Sequence, residues 1–210
     1  MRDVLICDFG GVLTSPIQDG FLAYQEESGV SLEQLGTALG RAAEEHGEHP
    51  LFALERGEIT EVEFARRVQA HLEDGFDPIR LRTLYFERLR PNPAMVDYVR
   101  ELRGRGVRTA LLTNNVREWE PLWRAKLPEI DELFELVVDS AFVGLRKPDA
   151  AIYSLTLELL GGVPPERCVF VDDLDVNCEA ARALGMAAVR FESAEQAIPR
   201  IDSALHGADG

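Results

Sequence analysis

The sequence predicts an α/β fold, a Rossmann-like parallel sheet core with an inserted α-helical cap domain. Over the second half of the chain, short apolar runs alternate with helical patterns, which is typical of parallel strands joined by helices. One further apolar run stands alone near the start of the chain. Between that run and residue 90 we find helical periodicity and no convincing strand. This order indicates a sheet whose first strand is separated from the others by a helical insertion.

The first strand is predicted over residues 3–8, because Val4 to Cys7 are continuously apolar, as in strands that are buried on both faces. Asp8 ends this run, and two glycines follow within the next three residues. Ligands of open α/β sheets bind beyond the carboxyl ends of the strands. The sequence therefore places the Asp8 carboxylate where it can meet a ligand.

The segment after this strand is predicted to form several short helices. Thr60 and Glu63 have the spacing of a capping box at a helix start, and Asp74-Gly75 predicts that this helix then ends. A proline-rich segment at 91–93 marks the exit from the helical block.

The rest of the chain predicts alternating helices and strands joined by right-handed crossovers. The predicted elements are a helix at 94–104, a strand at 107–112, a helical stretch, a strand at 135–139, a helix at 149–160, a strand at 168–171, a helix at 175–184, a strand at 187–191 and a last helix. The predicted domains are a core of residues 1–15 and 91–210 and a cap of residues 16–90.

Composition narrows the function classes. The 210 residues suffice for one sizeable core, or for a core with a small inserted domain. A net charge of −15 disfavours nucleic acid and anionic membranes as partners. Cys7, Cys168 and Cys178 form no CxxC pair, and no signal peptide is recognised, so a reducing, cytoplasmic location is predicted. Composition leaves the oligomeric state open.

Acidic side chains end two of the predicted strands. The run from Cys168 to Val171 is followed by Asp172-Asp173, as the first strand is followed by Asp8. Three carboxylates at two strand ends indicate a hard cation, because charges packed so closely must be neutralised. Each residue also has a simpler interpretation: Asp8 as a turn former, and the Asp172-Asp173 pair as the acidic start of a helix.

Four segments at successive strand ends resemble the motifs of the haloacid dehalogenase-like hydrolase superfamily. They are Asp8-Phe9-Gly10-Gly11-Val12, Leu112-Thr113-Asn114, Arg146-Lys147-Pro148-Asp149 and Phe170-Val171-Asp172-Asp173-x-x-x-Asn177. The segment from Gly144 to Gly185 is similar to the branch that contains small bacterial sugar phosphatases and the N-terminal phosphatase domain of soluble epoxide hydrolase. The helical insertion resembles the cap of this superfamily.

The resemblance implies a hydrolase that cleaves a small phosphorylated metabolite with Mg²⁺. In this interpretation Asp8 is the nucleophile and forms an aspartyl-phosphate. Thr113 and Asn114 bind the phosphate, and Lys147 screens Asp8 from the incoming anion and stabilises the transferring phosphoryl group. The implied Mg²⁺ ligands are Asp8, the main-chain carbonyl of Gly10, Asp172 and Asp173.

Gly10 departs from the pattern of the superfamily, whose phosphatases usually carry a second Asp there as general acid and base. General acid–base catalysis contributes roughly 10²–10⁴-fold, so this loss should reduce turnover. We hypothesise a substrate with a good leaving group, such as an anomeric sugar phosphate or an acyl phosphate, or a proton donor from the cap. The candidate donors are Asp19, Glu44, His46 and His49.

Two other functions stay open at this point. A 2-haloacid dehalogenase would also use an Asp nucleophile without the second Asp, but it needs no metal, and the Asp172-Asp173 pair argues against it. A weakly catalytic domain that senses phosphate or mediates an interaction is favoured by Gly10.

Overall fold

The computed structural model describes residues 2–72 and 76–207. In this part of the chain the strands form one parallel sheet of five, in the order β3-β2-β1-β4-β5. The strands are β1 (Val4–Cys7), β2 (Arg108–Thr113), β3 (Leu136–Asp139), β4 (Cys168–Asp172) and β5 (Ala187–Arg190). The predicted fold class, a parallel α/β sheet, is confirmed.

The first strand lies at the centre of the sheet. Cys7 of β1 pairs with Leu111 of β2 on one side and with Val171 of β4 on the other. Parallel strands in this register end at the same edge, so the residues that follow β1, β2 and β4 lie next to each other there. The sheet thereby collects Asp8, Thr113 and Asp172 at one edge.

Helices cover both faces of the sheet. Leu5 and Cys7 pack with the helices Pro93–Gly104 and Ala194–His206 on one face. Val4 and Ile6 pack with the helices Ala150–Leu159 and Asp175–Ala183 on the other face. This alternation follows from the two-residue period of a strand. The helices of this part are α6 (Pro93–Gly104), α7 (Glu120–Lys126), α8 (Ile130–Leu133), α9 (Ser140–Val143), α10 (Ala150–Leu159), α11 (Asp175–Ala183) and α12 (Ala194–His206). The predicted helical stretch contains α7 and α8, whereas the sequence did not predict the short helix α9.

Five helices between β1 and α6 share an apolar cluster of their own, and we call them the cap helices. They are α1 (Gln18–Ser28), α2 (Leu32–His46), α3 (Pro50–Glu55), α4 (Glu61–Gln69) and α5 (Pro78–Arg88). Thr60 caps α4 by accepting a hydrogen bond from the Glu63 amide, but the Glu63 carboxylate binds Arg66 and Arg67. The predicted capping box is therefore only half formed. The predicted stop at Asp74-Gly75 lies outside the described residues.

The chain enters and leaves the cap helices at one crossing. Thr14 and Pro91 form an isolated antiparallel bridge, and the Ser15 amide donates to the Arg90 carbonyl at 2.8 Å. Two adjacent connections of this kind suit a helical unit inserted into the sheet. The predicted boundaries, 1–15 and 91–210 for the core and 16–90 for the cap, fall at this crossing, and we propose them as the domain division.

Two further sequence expectations concern the whole chain. Cys7, Cys168 and Cys178 are buried free thiols. Among the described helices, none combines the length and the apolar composition needed to cross a lipid bilayer.

Close packing between α1 and α5 gives a test of the cap fold. A Cβ atom on Gly20 would lie 2.8 Å from the Tyr85 Cα, so we expect Gly20→Ala to lower the free energy of unfolding by about 1–3 kcal/mol. Gly36 in α2 is a matched control, because its Cβ would meet no atom within 4 Å. Gly36→Ala should instead stabilise by about 1 kcal/mol, since alanine favours the helix. Urea denaturation of both variants checks this, and equal effects would contradict the described α1–α5 contact.

Candidate active site

Three carboxylates meet at the carboxyl edge of the sheet. Asp8, Asp172 and Asp173 each offer one oxygen atom, and these atoms lie within 4.8 Å of one another. Asp8 and Asp172 are buried, and Asp173 is half-buried. The structure thus brings together the three acidic residues that the sequence analysis assigned to a metal. We call them the acidic cluster.

Lys147 lies between two of these carboxylates. Its Nζ atom is 2.7 Å from Asp8 Oδ1 and 2.7 Å from Asp172 Oδ2, and only 1 % of the side chain is exposed. Burial opposes the charge, but the carboxylates of Asp172 and Asp8 raise the pKa of Lys147 above its ordinary value. Lys147 therefore stays protonated and neutralises part of the acidic cluster.

Further hydrogen bonds hold two of the carboxylates in place. Asp8 Oδ1 accepts from the Phe9 amide at 2.8 Å, in addition to Lys147. Asp172 Oδ1 accepts from the Leu174 amide and from Asn177 Nδ2, both at 2.9 Å. Asp8 is thus anchored through Oδ1, and among the described residues Oδ2 is the oxygen left available to a ligand.

Burial also changes the acidity of the cluster. It raises the pKa of Asp8 to about 7, with Lys147 opposing this shift and Asp172 adding to it. Burial raises the pKa of Asp173 as well. Lys147 contacts only two of these three carboxylates, so the site favours a proton or a further cation. Hard carboxylate oxygens are the donors that Mg²⁺ prefers, and the residues present therefore fit this ion.

The two glycines after Asp8 play different structural roles. Gly11 has φ of +75°, and a Cβ atom there would lie 2.4 Å from Asp173 Oδ2. A side chain at this position would displace Asp173, so glycine is required. A Cβ on Gly10 would meet no described atom within 4 Å. The position where related phosphatases carry the second Asp therefore has room for a side chain.

The second and third motifs join at Asn114. Its Nδ2 atom donates to the Lys147 carbonyl at 3.0 Å, and the Lys147 amide donates to its Oδ1 at 2.8 Å. Asn114 therefore positions Lys147 through the main chain. Thr113 is buried at the end of β2 and borders the same cavity as Asp8. Phosphate binding by Thr113 and Asn114 stays a prediction.

A cavity of about 360 Å³ lies between the acidic cluster and the cap helices. The cap residues suggested as proton donors are not among its described lining residues: Asp19, Glu44, His46 and His49. Glu55 and Glu61 line it instead. No local pattern distinguished these two glutamates from the many others in the cap sequence.

Glu55 belongs to a contact between the cap and the sheet. Arg146 Nε donates to Glu55 Oε2 at 2.7 Å, and the Arg146 guanidinium stacks 4.0 Å from the centre of the Phe52 ring. Ser140 Oγ donates to the Glu55 carbonyl at 2.6 Å. Burial raises the pKa of Glu55, and Arg146 opposes that shift. In the sequence, the signal that could have pointed to Arg146 is its position next to Lys147 in the third motif.

The sequence profile of the haloacid dehalogenase-like hydrolases matches residues 3–185. The chain belongs to this family. It is 30 % identical to a sesquiterpene phosphatase of Aspergillus oryzae over 198 residues, which are 89 % of this chain and 88 % of that protein. It is 25 % identical to the rat bifunctional epoxide hydrolase 2 over 209 residues, but these are 93 % of this chain and only 37 % of that protein. The predicted family resemblance is confirmed, and the chain is a hydrolase of this family with phosphatase relatives.

Solved structures of haloacid dehalogenase family enzymes share the fold. An enzyme of Bacteroides thetaiotaomicron, solved with magnesium and inorganic phosphate, superimposes with a TM-score of 0.73 at 20 % identity, over 91 % of this chain and 95 % of that one. The L-2-haloacid dehalogenase of Xanthobacter autotrophicus, with chloropropionic acid covalently bound, gives 0.64 at 20 % identity, over 93 % and 80 %. At these identities the likeness concerns the fold alone.

We expect the stability of the metal-free protein to fall as the pH rises from about 4 to about 7. Burial raises the pKa of Asp8 from 3.8 to about 7 in the folded state, so folding is favoured while this carboxyl keeps its proton, and the advantage is lost as it ionises. Asp8→Asn should remove this part of the pH dependence. Thermal unfolding in a chelator at several pH values measures it. Parallel pH profiles for the parent and the variant would contradict the raised pKa.

Proposed function

We propose that this hydrolase is a Mg²⁺-dependent phosphatase of small phosphomonoesters that acts through an aspartyl-phosphate on Asp8. The observation that carries the proposal is the Asp8 carboxylate, anchored through Oδ1 by Lys147 and the Phe9 amide, with Oδ2 available at the cavity. A nucleophile held by one oxygen presents the other in a constant direction. The phosphatase relatives support a phosphorylated substrate.

The proposed reaction has two steps. Asp8 Oδ2 attacks phosphorus, the bond from phosphorus to the ester oxygen breaks, and that oxygen leaves with the electron pair. Water then attacks the aspartyl-phosphate, which releases inorganic phosphate and restores the carboxylate. Splitting the displacement in this way lets a buried carboxylate replace water as the first nucleophile.

The cations and donors around Asp8 have complementary roles in this proposal. Lys147 reduces the repulsion between Asp8 and the phosphate and stabilises charge on the transferring group. Thr113 donates a hydrogen bond to a phosphate oxygen, and Asn114 keeps Lys147 in position. Asn114 also contacts the phosphate, as the sequence analysis predicted. Asp8, the Gly10 carbonyl, Asp172 and Asp173 would hold Mg²⁺. When bound, this ion neutralises phosphate oxygens as charge builds up on them.

Gly10 bears on which leaving groups the site can release. The position has no side chain to protonate the departing oxygen, so we propose that esters with good leaving groups react best, such as acyl or anomeric phosphates. A proton donor from the cap is the other solution. Glu55 is the best placed cap residue, because it lines the cavity and burial raises its pKa, although Arg146 occupies one of its oxygens.

Dehalogenation is the second candidate, and Gly10 is the observation that favours it. A dehalogenase needs neither the second Asp nor a metal, whereas this chain keeps Asp172 and Asp173 beside Asp8. Release of chloride from 2-chloropropionate in the presence of a chelator would support this second function.

Asp8→Asn is expected to abolish turnover. In a panel of phosphorylated metabolites, the parent should require Mg²⁺, and the variant should lose ~10⁴-fold or more in rate, since the nucleophile is removed. Asp19→Asn is the matched control, because Asp19 is exposed in α1 and is not among the described lining residues. Acid quench and mass spectrometry of the parent should find one phosphoryl group on the peptide that contains Asp8. Tight binding without turnover would instead indicate a phosphate-sensing domain.

Gly10→Asp should restore the missing acid. The open space at Gly10 accepts a side chain, so we expect turnover of simple alkyl phosphates to rise by up to the 10²–10⁴-fold that general acid catalysis contributes. Acyl phosphates, whose leaving group needs no proton, should gain little. Gly10→Asn has nearly the same shape and no acid, and it should gain on neither substrate. A parent that already hydrolyses both classes equally fast would contradict the leaving-group argument.

A further inference from the structure

The cavity above the acidic cluster is walled mainly by hydrocarbon side chains. Every cap helix contributes, with Phe21 from α1, Leu39 from α2, Leu54 from α3, Phe64 from α4 and Leu81 from α5. A binding site for a sugar would present side-chain donors and acceptors at these places, because each buried hydroxyl left without a partner weakens binding. The wall therefore suits an apolar substrate body.

Both acidic side chains in the cap part of the cavity are already paired with protein groups. Glu55 binds Arg146 at 2.7 Å. Glu61 accepts from Trp119 Nε1 at 2.9 Å and also binds Arg82. The other polar side chains that the cap contributes are Gln18, in the exposed first turn of α1, and the mainly aromatic Tyr85 of α5. Without breaking the Glu55 and Glu61 pairs, a polyhydroxylated body would find few partners in the cap, and an aliphatic chain needs none.

The rim of the cavity is apolar as well. Ile17 before α1, and Leu174 and Val176 at the start of α11, line the cavity although they are 41 %, 49 % and 52 % exposed. Leu174 follows Asp172-Asp173 directly and Val176 is two residues further on, so this exposed apolar surface lies beside the acidic cluster. Exposed apolar residues around a binding cavity indicate an apolar ligand.

From these observations we propose that the substrate is a phosphomonoester with a hydrocarbon chain, whose phosphate lies at the acidic cluster and whose chain lies among the cap helices. The placement of the phosphate at the acidic cluster rests on the proposed function. A cavity of about 360 Å³ lies within the usual range of small-molecule sites, roughly 300–1,000 Å³. The leaving-group argument concerns the atom bonded to phosphorus, and this inference concerns the rest of the substrate.

Binding of alkylphosphonates, from ethyl to dodecyl, tests the inference without any turnover. The titrations are made by calorimetry with Mg²⁺ present and below the concentrations at which the chains form micelles. Affinity should rise by about fourfold per methylene, which corresponds to ~0.8 kcal/mol, and then level off as the cavity fills. Affinity that does not depend on chain length, or tighter binding of sugar phosphates than of alkylphosphonates of equal size, would overturn the inference.

A substitution in the cavity wall tests where the hydrocarbon chain of the ligand binds. Leu39→Trp should shorten the chain length at which affinity levels off. Val62→Trp is the control, because Val62 is exposed in α4 and is not among the described lining residues. An equal loss of affinity for long chains in both variants would contradict binding among the cap helices. The alkylphosphonate series on the parent protein tests the inference even if neither variant folds.

Turnover of the corresponding alkyl and acyl phosphates separates the two proposals. Chain-dependent affinity without hydrolysis of any ester would support the apolar site and contradict the phosphatase proposal. Hydrolysis of short esters without gain from longer chains, in either affinity or kcat/KM, would support the phosphatase proposal and overturn this inference. A kcat/KM that rises with chain length to the same limit as affinity would support both.

Discussion

The buried ammonium of Lys147, shared between Asp8 and Asp172, is the interaction on which the site depends. Parallel pairing of β1 with β4 forces the two carboxylates to the same edge of the sheet, in a place with little access to water. Two unpaired charges there would repel, and removing one partner from a buried ion pair typically costs about 3–5 kcal/mol. Lys147 makes the arrangement stable, and Asn114 fixes the main chain that delivers it.

The third motif also connects the sheet to the cap helices. Lys147 contacts the acidic cluster, whereas its neighbour Arg146 binds Glu55 and stacks on Phe52 of α3. Displacement of α3 would therefore shift Arg146, which is adjacent in sequence to the cation beside Asp8. Two adjacent basic residues thus connect the acidic cluster to the wall of the cavity.

In the proposed function, chemistry and selectivity are divided between different parts of the fold. Strand ends hold the acidic cluster, and the register of the sheet brings its members together before Lys147 neutralises part of their charge. The cap helices supply most of the cavity wall, whose side chains can change without disturbing the strands, as is common where one fold serves many functions. Gly10 and the apolar wall are accordingly separate features: in the two proposals, Gly10 concerns proton transfer and the wall concerns the body of the substrate.

Local signals in the sequence determined the strands, most helices and the acidic cluster. Apolar runs mark buried strands, and Asp8 and Asp172 follow such runs directly, so their position needed no knowledge of distant contacts. Tertiary structure alone decided the rest. Glu55 and Arg146 are 91 positions apart, and nothing near either residue in sequence encodes their pairing. The apolar cavity likewise exists only because five helices present side chains to one space, and a helical pattern shows which residues are buried but not what they enclose.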